Sequence, residues 1–172
     1  EETEAIVTSL HTKLSGSRTK KLGEILRLDE DSVPIKPTDS YPQVGVRGFG
    51  GGLFAKPATS GMDTTYKAFN RLYEGALVMS QVKAWEGAVA VCEKNLAGFF
   101  VSPEYRTFRF EAFEATPTYF SALVKTKWFW SRLKVATRGV GARRERTRPE
   151  QFLNIEIAVP NVAQQKKAAI LF

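Results

Sequence analysis

The chain has 172 residues, of which 43% are hydrophobic and 12% aromatic, and it carries a formal net charge of +7. This composition excludes general disorder and suffices for one sizeable core, so we expect one globular domain with appendages. The positive charge favours nucleic acid, an acidic protein or an anionic membrane as partner. Because the sequence shows neither a signal-peptide pattern nor a long apolar span, we expect a cytoplasmic protein that binds no membrane.

The first predicted element is an amphipathic helix over residues 2–14. Apolar residues recur at spacings of three and four from Ile6 to Leu14, and Gly16 follows as a stop signal. Short apolar runs separated by glycine and proline come next, and such runs are typical of strands. The predicted strands cover residues 22–28, 44–46, 53–55, 77–79, 88–92 and 107–110.

The hydrophobic period changes to a helical one after residue 115. Thr116 before Pro117 has the pattern of an N-cap followed by proline in the first turn, and it opens a helix through Val124. A second short helix is predicted from Trp128 to Leu133. The three aromatic residues 128–130 cannot all face one side of that helix, so we expect at least one in the core and none as a base-stacking platform.

The last elements are a helix, a strand and a terminal helix. Thr147 and Glu150 have capping-box spacing, residues 155–159 form an apolar run that ends at Pro160, and Asn161 can cap a final helix. The order of elements predicts an α+β fold with short, mostly antiparallel strands, helices late in the chain and a helix at each terminus.

Few residues could support catalysis or hold a metal or cofactor. His11 is the only histidine, which excludes a histidine-based triad or a histidine-rich metal site. Cys92 lies in an apolar run and is predicted to be a buried structural thiol. The glycine cluster at residues 48–52 lacks the Lys-Ser/Thr pair of a phosphate loop and is better explained as a turn that allows close backbone approach. We therefore predict no enzymatic activity, no metal and no cofactor.

The segment from Lys127 to Glu150 holds most of the positive charge, with eight Lys and Arg residues against two Glu, or +6 of the total +7. Cations that replace counterions at phosphates supply affinity for duplex DNA, and Arg also suits bidentate contact with guanine. Some of these arginines are expected to pair with Glu145, Glu150 or a helix C-terminus. The predicted DNA-binding residues of this segment are Arg138, Arg143, Arg144, Arg146 and Arg148.

A second predicted contact region is a polar loop between two apolar runs. It contains Gln81, Lys83 and Trp85, and a Gln carboxamide can read adenine bidentately. Trp85 could equally pack under its own loop. Arg47 and Lys56, on either side of the glycine cluster, are expected to contact phosphates only.

Seven blocks of sequence stand in a fixed order along the chain, at residues 21–25, 46–54, 73–80, 85–89, 101–105, 152–160 and 163–167. Taken in this order, they resemble the target recognition domain of the specificity (S) subunit of type I DNA restriction-modification enzymes. Two departures lie near the end, where Gln164 precedes Gln165 instead of an acidic residue and Pro160 stands alone instead of in a Pro-Pro pair.

The resemblance implies a chain that reads one half of a split double-stranded DNA target and has no activity of its own. It implies partner subunits for methylation and endonuclease activity, which assemble on the S subunit. It divides the chain into the tail of a spacer helix (1–16), a target recognition domain (17–160) and the start of an exit helix (161–172). Such a chain would be half of a specificity subunit, either a fragment or a half-length subunit that pairs with itself through its terminal helices.

Two other classes of function remain open from the sequence. The first is enzymatic: a nuclease, or the target recognition part of a fused restriction-methyltransferase. The second is a non-catalytic assembly module whose basic surface binds an acidic protein. Binding to random DNA duplexes at low salt separates the DNA interpretation from the second class, because non-specific binding is electrostatic.

Overall fold

The computed structural model describes residues 2–137 and 146–172. The helices are α1 (Glu2–Ser15), α2 (Leu22–Ile25), α3 (Pro117–Leu123), α4 (Lys127–Ala136), α5 (Pro149–Leu153) and α6 (Val162–Ala168). The strands are β1 (Thr19–Lys21), β2 (Leu26–Leu28), β3 (Asp31–Pro34), β4 (Ser40–Val46), β5 (Leu53–Ser60), β6 (Ala68–Arg71), β7 (Leu77–Ser80), β8 (Val89–Val91), β9 (Phe100–Val101), β10 (Tyr105–Phe110) and β11 (Glu156–Ala158).

The described strands form three sheets. One has two strands, β1 and β11; one has four in the order β2-β10-β7-β8; and one has five in the order β3-β6-β9-β4-β5. Every pairing among the described strands is antiparallel except that of β4 with β9. The predicted α+β fold is confirmed.

The four-stranded sheet is the central layer of the molecule. All four residues of β7 are buried, a pattern that requires cover on both faces of the sheet. Successive side chains alternate between faces, so Leu77 and Met79 pack into the cluster formed with the helices while Val78 packs into a second cluster toward the five-stranded sheet. Because β7 is packed on both faces, the loops at its two ends begin from fixed positions.

The cluster on the helical side is the larger of the two. It contains the largest buried aromatic side chains, which come from β10 and from the three helices α3, α4 and α5. Burying an aromatic or aliphatic side chain contributes about 1.5–3 kcal/mol, so this cluster dominates the stability of the fold. Its fully buried large members include Phe108, Tyr119, Phe120, Phe129, Leu133 and Phe152.

The prediction of a strand at residues 22–28 is wrong in its first half, where the chain forms α2 before β2. Leu22 and Ile25 are both fully buried at helical spacing, against α5. The Glu24 carboxylate accepts the Lys21 backbone N–H at 2.7 Å and closes the first turn. An apolar run with buried residues three apart can fit either period, and the packing against α5 decides for the helix.

The predicted cap of α5 is also wrong. The N-cap is Arg148, whose backbone N–H donates to Gln151 Oε1 at 2.9 Å. Thr147 is fully buried instead, and its hydroxyl hydrogen-bonds the Thr137 hydroxyl at 2.9 Å. The capping box therefore begins one residue later than predicted, at Arg148, because the Thr147 side chain makes a tertiary contact.

Gln165 joins the two ends of the helical layer. Its side chain is fully buried; Oε1 accepts the Thr116 backbone N–H at 2.9 Å, and Nε2 donates to the Glu114 and Pro160 carbonyls at 2.9 and 2.8 Å. Thr116 is thus the residue before α3, as predicted, although its side chain makes no capping bond. Asn161 does cap α6, accepting the Gln164 N–H at 2.9 Å.

Several strands were not predicted: β1, β3, β6 and β9. Each has only two to four residues. β1, β3 and β6 are polar or mixed in sequence, and β9 is a single Phe-Val pair, too short to show a period. Within the described ranges, no helix has the length and apolar character needed to cross a lipid bilayer.

Candidate nucleic-acid interface

Three loops that carry predicted contact residues are joined into one surface, here called the loop surface: residues 47–52 between β4 and β5, residues 81–87 between β7 and β8, and residues 146–148 before α5. The Thr147 backbone N–H donates to the Gln81 carbonyl at 2.8 Å. The Phe49 backbone N–H donates to the Glu86 carbonyl at 2.6 Å. The loop of residues 81–87 is therefore the centre to which the other two are attached.

Glycine permits the first of these loops to turn tightly against the core. Arg47 and Gly52 close it through a backbone hydrogen bond of 2.9 Å. Gly50 has a φ of 70°, and a side chain there would lie 2.8 Å from the Lys125 carbonyl and from the Trp130 ring. The predicted role of the glycine cluster as a turn with close backbone approach is confirmed.

Trp130 supports the second loop as well as the first. Its indole Nε1 donates to the Val124 carbonyl at 2.7 Å, which fixes the ring. Gly87 has a φ of 75°, and a Cβ there would lie 2.7 Å from the same ring. One indole, held by α3 and α4, thus sets the positions of two loops distant in sequence.

Arg47 and Lys56 are both exposed, on either side of the turn. The Arg47 guanidinium lies 4.3 Å from the centre of the Phe54 ring, a cation–π contact that limits its motion without neutralising its charge. Lys56 lies within β5, opposite Gln43 of β4. Both cations can reach an anionic ligand that approaches this edge of the five-stranded sheet.

In the second loop, Lys83 is exposed and Trp85 is 39% exposed. Trp85 lies in a short 3₁₀ turn, Ala84–Glu86, that ends at Gly87. Its side chain is thus partly packed and partly open to solvent. The sequence left open whether Trp85 contacts DNA or packs under its own loop, and this partial exposure is compatible with both.

Gln81 is more constrained than the sequence suggested. Its Nε2 donates to the Pro103 carbonyl at 3.2 Å, and its backbone N–H donates to the Glu104 carbonyl at 3.0 Å. The carboxamide therefore anchors the loop to the turn between β9 and β10 in this structure. Reading adenine would use Oε1 and the second N–H of Nε2, or would exchange the Pro103 carbonyl for the base.

Arg146 and Arg148 are exposed, and Arg146 is paired with an acid. Its Nη2 donates to Glu104 Oε1 at 3.1 Å; its Nη1 lies 2.9 Å from Oε2, close enough for attraction but not aligned as a hydrogen bond. The expectation that some arginines of this segment pair with acids thus holds for Arg146, with Glu104 as a partner that was not predicted. Arg138, Arg143 and Arg144 lie outside the described residues.

The ion pairs that the structure describes include one run of acids outside the loop surface. Three consecutive acids after β2, Asp29, Glu30 and Asp31, each pair with an arginine of β6 or β10. The hydrogen bond with Arg109 lowers the pKa of the Asp29 carboxyl. It outweighs burial, which acts to raise that pKa. Four cations of the loop surface and its flank pair with no acid that the structure describes, a property that lysines elsewhere such as Lys13 and Lys67 share: Arg47, Lys56, Lys83 and Arg148.

The prediction that at least one of the aromatic residues 128–130 lies in the core is confirmed. Phe129 is buried, Trp130 underlies the loops, and the Trp128 ring lies 4.2 Å from that of His11. Phe49, which is 72% exposed in the loop surface, was not among the predicted contact residues. A large apolar residue between glycines was the signal that could have identified it.

His11 and Cys92 are both buried and have structural positions. His11 hydrogen-bonds the Tyr119 hydroxyl at 2.7 Å, and burial, reinforced by the positive charge of Arg132, lowers its pKa to about 4. Burial raises the pKa of Cys92 to about 11. Among residues 2–137 and 146–172, no three His, Cys, Asp or Glu side chains are grouped so that they could share a metal ion.

Comparison with known proteins finds no matching family model and no matching curated protein. Solved structures do match. The HsdS subunit from Thermoanaerobacter tengcongensis superposes with a TM-score of 0.73 at 16% identity, over 90% of this chain and 40% of that one. A structure described for complex assembly and conformational transition of the type I R-M system gives 0.71 at 17% identity, again over 90% and 40%.

The S subunit of the type I restriction-modification system from M. genitalium gives a TM-score of 0.60 at 12% identity, over 98% of this chain and 45% of that one. The chain thus spans less than half the length of these matching structures. At such identities the likeness concerns the fold, and it covers nearly all of this chain. The protein has the fold of part of a type I restriction-modification S subunit, in agreement with the resemblance in its sequence.

Proposed function

We propose that this chain recognises double-stranded DNA as the half-site reader of a type I restriction-modification complex. The observation that carries the proposal is the loop surface, where three loops with predicted contact residues are joined by the Thr147–Gln81 and Phe49–Glu86 backbone hydrogen bonds. The S-subunit fold and the blocks of similar sequence support the same function.

The division of labour within the loop surface follows from its charges. Arg47, Lys83 and Arg148 are exposed, and none pairs with an acid of the described residues, so they can displace counterions from phosphates. Lys56 can extend this contact along β5. Arg138, Arg143 and Arg144 are proposed to extend it from the segment that Thr137 and Thr147 bracket.

Base discrimination requires groups that enter a groove rather than rest on phosphates. Gln81 and Trp85 lie at the centre of the loop surface, and arginines of the basic segment can form bidentate contacts with guanine. Each good bidentate pair contributes about 1–3 kcal/mol of discrimination against a wrong base. A short recognition sequence is therefore within the capacity of this surface.

We further propose that the terminal helices carry the assembly function, so that residues 17–160 form the recognition domain and residues 1–16 and 161–172 belong to spacer helices. Both termini leave large apolar side chains in solvent: Ile6 is 52% exposed, Ile170 84% and Leu171 70%. Partner helices from a second copy or from another recognition domain would bury them, and methylation and endonuclease subunits would then assemble on these helices.

The experiment that tests the recognition proposal is selection of bound sequences from a random duplex pool, followed by salt titration of the recovered duplex. The expected result is one short recurring motif and binding that weakens linearly on a log–log plot as salt rises. Failure to bind any duplex at low salt would refute the proposal.

Further measurements on the purified chain and the recovered duplex separate the other candidates. Binding without a recurring motif, together with tighter capture of an acidic protein, would favour a basic assembly module. Cleavage of the recovered duplex by the purified chain with Mg²⁺ would favour a nuclease. Sedimentation at increasing concentration tests self-pairing, and a strict monomer would restrict the terminal helices to partners other than a second copy.

A further inference from the structure

Phe49 combines two features that disfavour the free protein. It is 72% exposed, and it is the one non-glycine residue of the described ranges with a positive φ, 55°. A bulky side chain in the left-handed region is strained, and such strain persists only where surrounding structure enforces it. The strained backbone and the exposed ring therefore do not stabilise the hydrophobic core.

The surrounding structure does enforce this conformation. The Phe49 backbone N–H donates to the Glu86 carbonyl at 2.6 Å, and glycines stand on both sides of the residue. The ring meets the Trp130 ring edge to face, with centroids 6.1 Å apart and planes at 74°. Because Trp130 is itself fixed through Val124, the phenyl ring projects from a rigid base.

The chemistry around the ring indicates what it contacts. Arg47 lies two residues before it and Lys83 lies on the loop to which it is hydrogen-bonded; both are exposed cations. Trp85, 39% exposed, is on that loop too. A ligand that satisfies cations and a rigid apolar ring together must offer negative charge beside flat apolar surfaces, which a DNA duplex does when a base step opens.

We propose that Phe49 is an apolar wedge that inserts at one base step of the bound duplex and partly unstacks it. This inference rests on the proposed DNA recognition and adds to it a residue that determines both affinity and DNA distortion. The preset ring needs no ordering on binding, and the flanking cations hold the phosphates of the opened step.

The test uses the duplex recovered by selection on the unaltered chain, with 2-aminopurine placed at each adenine in turn. The unaltered chain is expected to raise 2-aminopurine fluorescence at one position, because unstacking relieves quenching. Phe49→Ala is expected to lose that rise and to weaken binding about tenfold or more, with the salt slope unchanged. Phe49→Leu, which keeps an apolar wedge, should retain part of both effects.

Phe113→Ala is the matched control, since Phe113 is 95% exposed outside the loop surface and its loss should change neither fluorescence nor affinity. Phe49→Gly tests a purely structural role. Relief of the strained backbone should leave the melting temperature unchanged or raise it by about 2–4 °C, whereas a lower value would indicate that the ring supports the fold.

The outcomes distinguish this inference from the proposal beneath it. If the unaltered chain binds no duplex, the proposed function fails and the wedge with it. If the chain selects a motif but fluorescence stays flat at every position, or Phe49→Ala binds as tightly as the unaltered chain, the wedge alone is refuted.

Discussion

The backbone N–H of Thr147 donates to the carbonyl of Gln81 at 2.8 Å. This bond attaches the end of the basic segment to the loop that leaves β7, the central strand of the molecule. The Thr147 hydroxyl also hydrogen-bonds that of Thr137, so Thr137 and Thr147 lie against each other. The described parts of the basic segment, on either side of positions 138–145, are thus fixed beside the loop surface.

Replacing Thr147 by Val removes the buried hydroxyl and leaves the backbone bond to Gln81 possible. We expect a loss of about 1 kcal/mol in the free energy of unfolding, since a buried hydrogen-bonding partner is removed. Denaturant unfolding measures it. Thr12→Val is the control, because the Thr12 hydroxyl is exposed and bonds only its own helix. Equal stabilities of the two variants would contradict a structural role for the Thr137–Thr147 pair.

Replacing Arg143 and Arg144 together by Ala should weaken duplex binding and lower the salt slope by about 2 if both contact phosphates. A matched loss of two charges elsewhere is Lys166→Ala with Lys167→Ala, on the exposed side of α6. That control should leave the slope unchanged. An unchanged slope in the arginine variant would remove both residues from the DNA contacts.

Replacing Glu104 by Gln should strengthen duplex binding. The substitution removes the acid that pairs with Arg146, so that guanidinium becomes available to a phosphate and the salt slope should rise by about 1. Glu111→Gln removes an equal charge beside Arg27 and serves as control. Weaker binding by the Glu104 variant would indicate that the ion pair positions Arg146 for contact.

Stability should fall as the pH is lowered from about 6.5 to about 4, through the histidine of α1. The pKa of His11 is lowered to about 4 by burial, below its ordinary value of 6.5. The unfolded chain therefore takes up a proton in this window while the folded chain does not, which costs the folded state up to about 3 kcal/mol. Denaturant unfolding at a series of pH values measures the loss.

His11→Gln is the matched variant, because it offers a polar group to Tyr119 and does not titrate. Its stability should vary less with pH between 4 and 6.5 than that of the unaltered chain. Curves of equal slope for the two proteins would show that other groups are responsible.

The sequence alone was sufficient to predict much of the local structure. The helical spacing from Ile6 to Leu14, the Thr116–Pro117 start and the Asn161 cap are signals among residues near in sequence, and each element formed as predicted. Prediction failed where a tertiary contact competed with such a signal. At residues 22–28 packing on α5 favoured a helix, and at Thr147 a buried hydroxyl pair displaced the cap.

The sequence by itself determined the α+β order of elements, the concentration of positive charge in one segment and the resemblance to S subunits, because composition and spacing encode these directly. Only the tertiary structure decided which loops meet, that Gln81 is bound to Pro103, that Arg146 pairs with Glu104 and that Phe49 projects into solvent. The reason is physical: these contacts join segments far apart in the chain, and their geometry is set by how the central sheet and Trp130 pack.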